Sequence, residues 1–139
     1  MRIPFLLALI CWASASWADS TVLEAINQER SAQDRAPLVY DARLEMAARA
    51  HAEDMVRAGF FSHTGSDGSD LAQRLKRAGY AGCFGAENIA AGQRNLAEVM
   101  QSWMQSRGHR RNILHRKAQA VGVARADGNH WVMVLGAPC

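Results

Sequence analysis

The stretch Ala120–Leu135, AVGVARADGNHWVMVL, decides the fold class of this chain. It divides into two β-rich segments, Ala120–Ala126 and Asn129–Leu135, which are joined by Asp127-Gly128, a dipeptide typical of tight hairpin turns. Helical patterns fill most of the chain before it, so helices come first and antiparallel strands last. This order predicts an α+β domain in which about four helices pack against a small antiparallel sheet.

The clearest helix lies between Asp41, a good N-cap residue, and Gly59, a typical helix end. Apolar positions within it recur at the spacing of one buried helix face; they are Leu44, Ala47, Ala48, His51, Ala52 and Met55. His51 is therefore expected in the core or at its rim. Further helices are expected at about residues 21–33, 69–78 and 96–107.

The middle of the chain carries two more local patterns. Asn95 followed by Glu98 is a capping-box pattern at the start of the fourth helix, and Gly108 is expected to end that helix. The glycine-rich segment 80–92 is unsuited to a helix. Within it we expect only a short strand, at Glu87–Ala90.

The amino terminus has the pattern of a secretory signal peptide. Arg2 gives a basic start, Ile3–Trp12 is apolar, and Ser16-Trp17-Ala18 is a small-x-small cleavage site. The predicted signal peptide is residues 1–18, which leaves one domain at residues 19–139. No later segment is apolar enough to be a transmembrane segment. We therefore expect a protein secreted to the medium or the periplasm, and we expect a monomer.

The charge balance of residues 19–139 is mild. The chain has 16 Lys and Arg and 13 Asp and Glu, and removal of Arg2 leaves 15 basic against 13 acidic residues. This balance gives no case for a nucleic-acid partner. One run is rich in cations and free of acids: Arg107, Arg110, Arg111, Arg116 and Lys117. That run is either a solvated turn or an anion-binding patch for phosphate or acidic polysaccharide.

Two cysteines, Cys83 and Cys139, remain once Cys11 is removed with the signal peptide. An even pair in an exported domain predicts a disulfide. The alternative, Cys83 as a nucleophile, requires a free thiolate and an activating base. The sequence around Cys83 lacks the pattern of a catalytic cysteine, so the disulfide is the expectation.

Three side chains are candidates for chemistry: His63, Glu87 and His109. Each lies beside glycine or aromatic residues where a loop is expected to meet a packed element. Each also has a structural alternative. For the two histidines it is a structural hydrogen bond, and for Glu87 it is an ion pair with Arg110 or a capping role. Two imidazoles and a carboxylate suit Zn²⁺ with one position left open, but the same trio could bind a ligand without metal. The zinc-peptidase motif HExxH is absent.

The order of these motifs resembles the CAP superfamily, the SCP-like extracellular domain, in its short bacterial form. The resemblance covers about Val22 to Gly136. It rests on Asn27-x-x-Arg30, Ala50-His51-Ala52-x-Asp54-Met55, Phe61-Ser62-His63, Asp67-Gly68, Gly79-Tyr80, Glu87-Asn88-Ile89-Ala90-x-Gly92, Trp103-Met104-x-Ser106, Gly108-His109-Arg110-x-Asn112-Ile113-Leu114 and Val121-Gly122-Val123.

The resemblance implies an α-β-α sandwich with a large open cleft. In eukaryotic members that cleft holds two histidines and two glutamates, which in some members bind a divalent metal. His63, Glu87 and His109 match three of these four positions. The second glutamate has no match, because this chain reads Trp103-Met104-Gln105-Ser106 there. The gap weakens both a full metal tetrad and hydrolysis by two carboxylates.

Three functions follow from these observations. The first is a secreted binding module that holds a divalent metal and an unidentified ligand, a small molecule, lipid or envelope component, without turnover. The second is a metal-dependent hydrolase of peptides or cell-envelope polymers, with Glu87 as base or ligand. The third uses the basic run as an anchor to anionic envelope surfaces.

Overall fold

A computed structural model describes residues 17–139. The predicted signal peptide lies outside the described residues, except for its last two, Trp17 and Ala18, which begin the first helix. None of the helices in the described part combines the length and the apolar character that crossing a bilayer requires.

Five α-helices and four β-strands make up this part of the chain. They are α1 (Trp17–Ser31), β1 (Val39–Tyr40), α2 (Ala42–Ala58), α3 (Leu71–Arg77), β2 (Gly82–Ala91), α4 (Leu96–Gln105), α5 (Arg107–Ile113), β3 (Ala120–Ala126) and β4 (His130–Pro138). The α+β class predicted from the sequence is confirmed, with one helix more than the four expected.

The strands form one sheet in the order β1-β3-β4-β2. The predicted hairpin is its centre: β3 and β4 pair antiparallel, with Ala126 opposite His130, and the turn Asp127–Asn129 connects them. β2 pairs antiparallel with β4 from Gly82 to Ala91, with a register irregularity between Gly82 and Phe84. The two-residue strand β1 pairs parallel with β3, so the sheet is mixed rather than purely antiparallel.

Both faces of this sheet are covered, which makes the domain an α-β-α sandwich. Alternate residues of a strand point to opposite faces: Val121 and Val123 pack with α1, α4 and α5, whereas Ala120 and Ala124 pack with α2. β4 alternates in the same way, with Met133 in the first cluster and Val132 in the second.

Helix α2 lies very close to the backbone of β3. A Cβ atom at Gly122 would lie 2.0 Å from the backbone nitrogen of Glu45 and 2.4 Å from the carbonyl carbon of Leu44. Small residues on both surfaces permit this approach, because Ala48 on the helix and Ala120 on the strand are buried in the same cluster. The helix face predicted from the sequence is the face that packs here.

Two elements differ from the sequence-based expectation. Gly108 does not end the fourth helix: that helix ends at Gln105, Ser106 adopts an extended backbone, and α5 begins at Arg107 with Gly108 inside it. Strand β2 is ten residues long rather than four. Its glycines are tolerated because β4 pairs with the strand on both sides of the irregularity between Gly82 and Phe84.

A disulfide joins Cys83 to Cys139, as the cysteine pair predicts. It links the start of β2 to the residue after β4 and closes a sequence separation of 56 residues. A loop of that length is worth about 4 kcal/mol of stability on the chain-entropy model. The bridge excludes Cys83 as a free nucleophile.

The buried guanidinium of Arg30 holds α1 against the segment that follows α5. Its Nε donates to Ala36 O at 2.8 Å, and its Nη1 donates to Ile113 O at 2.7 Å and to His115 O at 3.1 Å. Nη2 reaches Ala118 O at 3.5 Å. These acceptors are all carbonyl oxygens, so one side chain satisfies the C-terminal end of α5 and the start of the β3 segment.

We predict that Gly122→Ala destabilises the fold by about 3 kcal/mol or more, because overpacking against a backbone that cannot move away is costly. The measurement is the free energy of unfolding in urea. Gly108→Ala is the matched control. A Cβ there meets no atom within 4 Å, so the change should be neutral or stabilising by up to about 1 kcal/mol. Equal effects at the two positions would contradict the close packing of α2 on β3.

Candidate functional site

The candidate site is built around the edge strand β2. Glu87 and Ile89 lie on the sheet face that is covered by α2 and α3, whereas Ala90 lies on the face covered by α4 and α5. Asn88 shares that second face because side chains alternate along a strand. Adjacent residues at one edge therefore reach both sides of the sheet.

The carboxylate of Glu87 is buried and has two partners. His63 Nδ1–H donates to Glu87 Oε1 at 2.8 Å, and Arg74 Nη2 donates to Glu87 Oε2 at 2.7 Å. The Glu87 side chain is 3 % exposed and that of Arg74 is 7 % exposed, whereas that of His63 is 59 % exposed. A buried ion pair thus supports a solvent-facing imidazole.

Arg74 also fixes the loop that carries His63. Its Nη1 donates to His63 O at 3.0 Å and to Ser69 O at 2.9 Å. Sequence reasoning missed this residue, and it offered Arg110 as the ionic partner of Glu87. The pattern of α3 could have identified it, because Arg74 lies three residues after Leu71 and beside the buried Leu75, on the apolar face of a short helix.

His51 lies behind the pair, in the core position that its helix face predicts. Its Nε2–H donates to Ser62 O at 2.8 Å, and the same nitrogen is 3.9 Å from Glu87 Oε1. Among the residues described, Nδ1 has no hydrogen-bond partner. Burial lowers the pKa of His51, although the charge of Glu87 opposes that shift. His51 is therefore neutral at neutral pH.

His109 reaches the site from α5, on the other side of the edge strand. Asn88 Nδ2 donates to His109 O at 3.1 Å, and Asn112 Nδ2 donates to Asn88 Oδ1 at 2.8 Å. Burial lowers the pKa of His109, and the nearby His63 lowers it further. The structure therefore joins His63 and Glu87 directly, while His109 contacts the same strand from the opposite face.

A metal ion at this donor set would have to compete with partners that are already in place. Within residues 17–139, no group of three or more His, Cys, Asp and Glu side chains is arranged to hold one. Both oxygens of Glu87 are already engaged, one of them by the buried guanidinium of Arg74. A metal would have to displace that cation or share the carboxylate with it. Ser106, at the position of the absent second glutamate, adds no acidic ligand.

A groove of about 580 Å³ lies between α2 and α3, next to this cluster. His51 and Arg74 are on its wall, and Ala47 and Ala50 form part of its apolar lining. The basic run lies apart from this groove, on α5 and the turn after it. All five of its cations are exposed: Arg107, Arg110, Arg111, Arg116 and Lys117.

The family model of the CAP family, described as the cysteine-rich secretory protein family, matches residues 23–135. Protein YkwD of Bacillus subtilis (strain 168) is 35 % identical over 120 residues, which is 86 % of this chain and 47 % of YkwD. Membrane protein YlbC of the same strain is 27 % identical over 106 residues, 76 % of this chain and 31 % of YlbC. This chain thus spans less than half the length of these relatives.

Solved structures show the same architecture. An extracellular protein with an SCP domain from Bacillus anthracis str. Ames has a TM-score of 0.81 at 27 % identity, covering 85 % of this chain and 39 % of that one. An outer surface protein from Borrelia burgdorferi has a TM-score of 0.79 at 22 % identity, covering 88 % and 95 %. The chain belongs to the CAP, or cysteine-rich secretory protein, family, and the two structural neighbours are extracellular or surface proteins by name.

We predict that Glu87→Gln destabilises the protein by about 3–5 kcal/mol, because it leaves the buried Arg74 guanidinium without its counter-charge. Urea unfolding measures the loss. The control is Glu45→Gln, which breaks an exposed ion pair with Arg49 and should cost less than about 1 kcal/mol. A cost at position 87 as small as that at position 45 would show that the buried pair contributes little.

We also predict that stability falls in mild acid because of His51. Its pKa is lower in the folded protein than in the unfolded chain, where histidine titrates near about 6.5. The unfolded chain therefore takes up the proton first as the pH falls below that value, and stability declines toward the folded-state pKa. Unfolding free energies at pH 7.5 and 5.5 test this. His51→Gln keeps a donor for Ser62 O and should flatten the decline; an unchanged decline would exclude His51 as its source.

Proposed function

We propose that this domain is an exported binding module that holds its ligand at the edge-strand site, without turnover. The observation that carries the proposal is the His63–Glu87–Arg74 arrangement: a largely exposed imidazole is held by a carboxylate that is itself buried and ion-paired. Export is supported by the predicted signal peptide, by the disulfide and by the likeness to an extracellular SCP-domain protein. Release to the medium or the periplasm is part of the same proposal.

The hydrogen bond to Glu87 gives His63 a defined chemistry. Because Nδ1 carries the donated hydrogen, Nε2 of the neutral ring is an acceptor with a fixed direction. The lowered pKa of His109 keeps a second imidazole uncharged near the same strand. Imidazole nitrogens that accept hydrogen bonds favour a ligand that donates them through hydroxyl or amide groups. We infer an uncharged small molecule or a glycan-like envelope component.

The alternative is a metal-dependent hydrolase of peptides or cell-envelope polymers. One contact favours it, since a carboxylate that orients an imidazole is also how general bases are held. The engagement of both Glu87 oxygens opposes a metal at this point. We therefore prefer ligand binding to catalysis as the function of this site. We also prefer a ligand held without metal to one held through zinc or another divalent cation.

The test is a binding measurement with tri-N-acetylchitotriose, a probe rich in hydroxyl and amide groups. We predict that it shifts the imidazole resonances of His63 and His109 in an NMR titration of untagged protein, with no cleavage after prolonged incubation. His63→Asn retains a donor for Glu87 and removes the Nε2 acceptor, so affinity should fall about tenfold. His130→Asn, which changes a histidine at the start of β4, is the control.

Three results would overturn the proposal. Equal affinity in the His63→Asn and His130→Asn variants would remove the imidazole from the binding site. Cleavage of the probe that is lost in His63→Asn would establish an enzyme instead. A titration with zinc chloride alone is the third arm: binding that perturbs both His63 and His109 would restore a metal centre.

A further inference from the structure

Helix α5 has two chemically different faces. Its inner face carries His109, Asn112 and Ile113; Asn112 bonds to β2 and Ile113 is fully buried. The outer face carries Arg107, Arg110 and Arg111, which are spaced i, i+3 and i+4 and are all exposed. The inner face belongs to the site described above, so the outer face is a separate surface.

Capping of the helix does not account for these cations. Basic residues near a helix C-terminus usually bond its free carbonyl groups. Here α1 and the segment after it supply that function: Arg30 donates to Ile113 O and His115 O, and Arg35 Nε donates to Leu114 O at 3.0 Å. The side chains of the basic run therefore do not cap the C-terminal end of α5.

The basic run is also unpaired, in contrast to other exposed arginines. Arg43, Arg49 and Arg94 each form an ion pair with a nearby carboxylate. Within residues 17–139, no side chain of the run makes an ion pair or a hydrogen bond; the members are Arg107, Arg110, Arg111, Arg116 and Lys117.

The charge of the domain is unevenly distributed as a result. Residues 19–139 hold 15 basic and 13 acidic residues, and five of the basic ones lie in this run. The remainder therefore carries ten basic against 13 acidic residues, a negative balance. A local positive field on an otherwise acidic domain directs an anionic partner to one face.

We propose that the outer face of α5, together with Arg116 and Lys117, binds an acidic polysaccharide. Successive turns of the helix present guanidinium groups about 5 Å apart along its axis, which is close to the length of one sugar ring. Guanidinium groups pair bidentately with carboxylates, and four of the five cations are arginine. A linear uronate polymer carries carboxylates at regular intervals, and these can pair with the exposed guanidinium groups of the run.

Nucleic acid and membrane surfaces fit this face less well. Single-stranded nucleic acid binds best where exposed aromatic rings stack on its bases. Phe84, the aromatic ring in contact with this region, is already stacked on His115 with ring centroids 4.4 Å apart. Membrane binding by a short helix uses exposed apolar side chains. The large exposed apolar residues of the described chain are Val39, Met46, Val56 and Phe61, and none of them is on α5.

The test is fluorescence anisotropy with a labelled dodecamer of galacturonic acid. The triple variant Arg107→Gln, Arg110→Gln, Arg111→Gln should lose at least about tenfold in affinity, from the sum of several exposed charge contacts. The control removes the same charge elsewhere, with Arg43→Gln, Arg49→Gln and Arg94→Gln, and should lose less than about threefold. Wild-type affinity should also fall steeply between about 50 and about 200 mM salt, because salt screens exposed charges.

Equal losses in the two triple variants would overturn the proposal, because they would reduce the binding to net charge. Tighter binding of a length-matched DNA oligonucleotide, or of phosphatidylglycerol vesicles, would overturn the polysaccharide assignment. His63→Asn separates this surface from the edge-strand site. It should leave uronate binding unchanged, and a loss as large as that of the α5 variant would show that the two surfaces are one.

Discussion

A buried carboxylate on β2 meets a buried guanidinium on α3, and the arrangement of the candidate site depends on that contact. Arg74 neutralises Glu87, and through a second nitrogen it holds the backbone of His63 and Ser69. One side chain therefore sets both the direction of the carboxylate and the path of the loop that presents the imidazole. Burying two charges is expensive unless each has good partners, which explains why so many hydrogen bonds converge on this pair. The same pair makes the carboxylate a poor metal ligand.

The sequence predicted the parts of the fold that follow from local chemistry. Four such features are present in the structure: the apolar period of α2, its ends at Asp41 and Gly59, the β3–β4 hairpin and the disulfide. The first three depend on residues that are close in the chain, and the disulfide follows from the number of cysteines. Predictions from local sequence were wrong or incomplete where contacts between distant parts of the chain determine the structure. Gly108 lies inside a helix because Asn112 and Ile113 anchor α5 to the sheet and core. The partner of Glu87 could be guessed only by treating Arg74 as part of an apolar helix face.

The free backbone groups of an edge strand invite unwanted pairing with other chains. Here α5 covers part of that edge. Asn112 Nδ2 reaches Glu87 O at 3.3 Å and Asn88 Oδ1 at 2.8 Å. The helix that protects the strand also carries His109, so one element covers the edge and holds the second candidate imidazole next to β2. Its outward arginines are then free for a second role, so one short helix lies beside the sites of two proposed ligands, one uncharged and one anionic.

Arg30 has a further consequence, for the order in which the domain can assemble. Its hydrogen bonds to Ile113, His115 and Ala118 span 83, 85 and 88 positions of the chain. Contacts of such length form late, since most of the chain must be brought together before they are gained. The hydrogen bonds that hold α1 in place therefore form only after the segment between α5 and β3 has reached its position. Assembly of the domain therefore includes a step that brings α1 and the α5–β3 connection together.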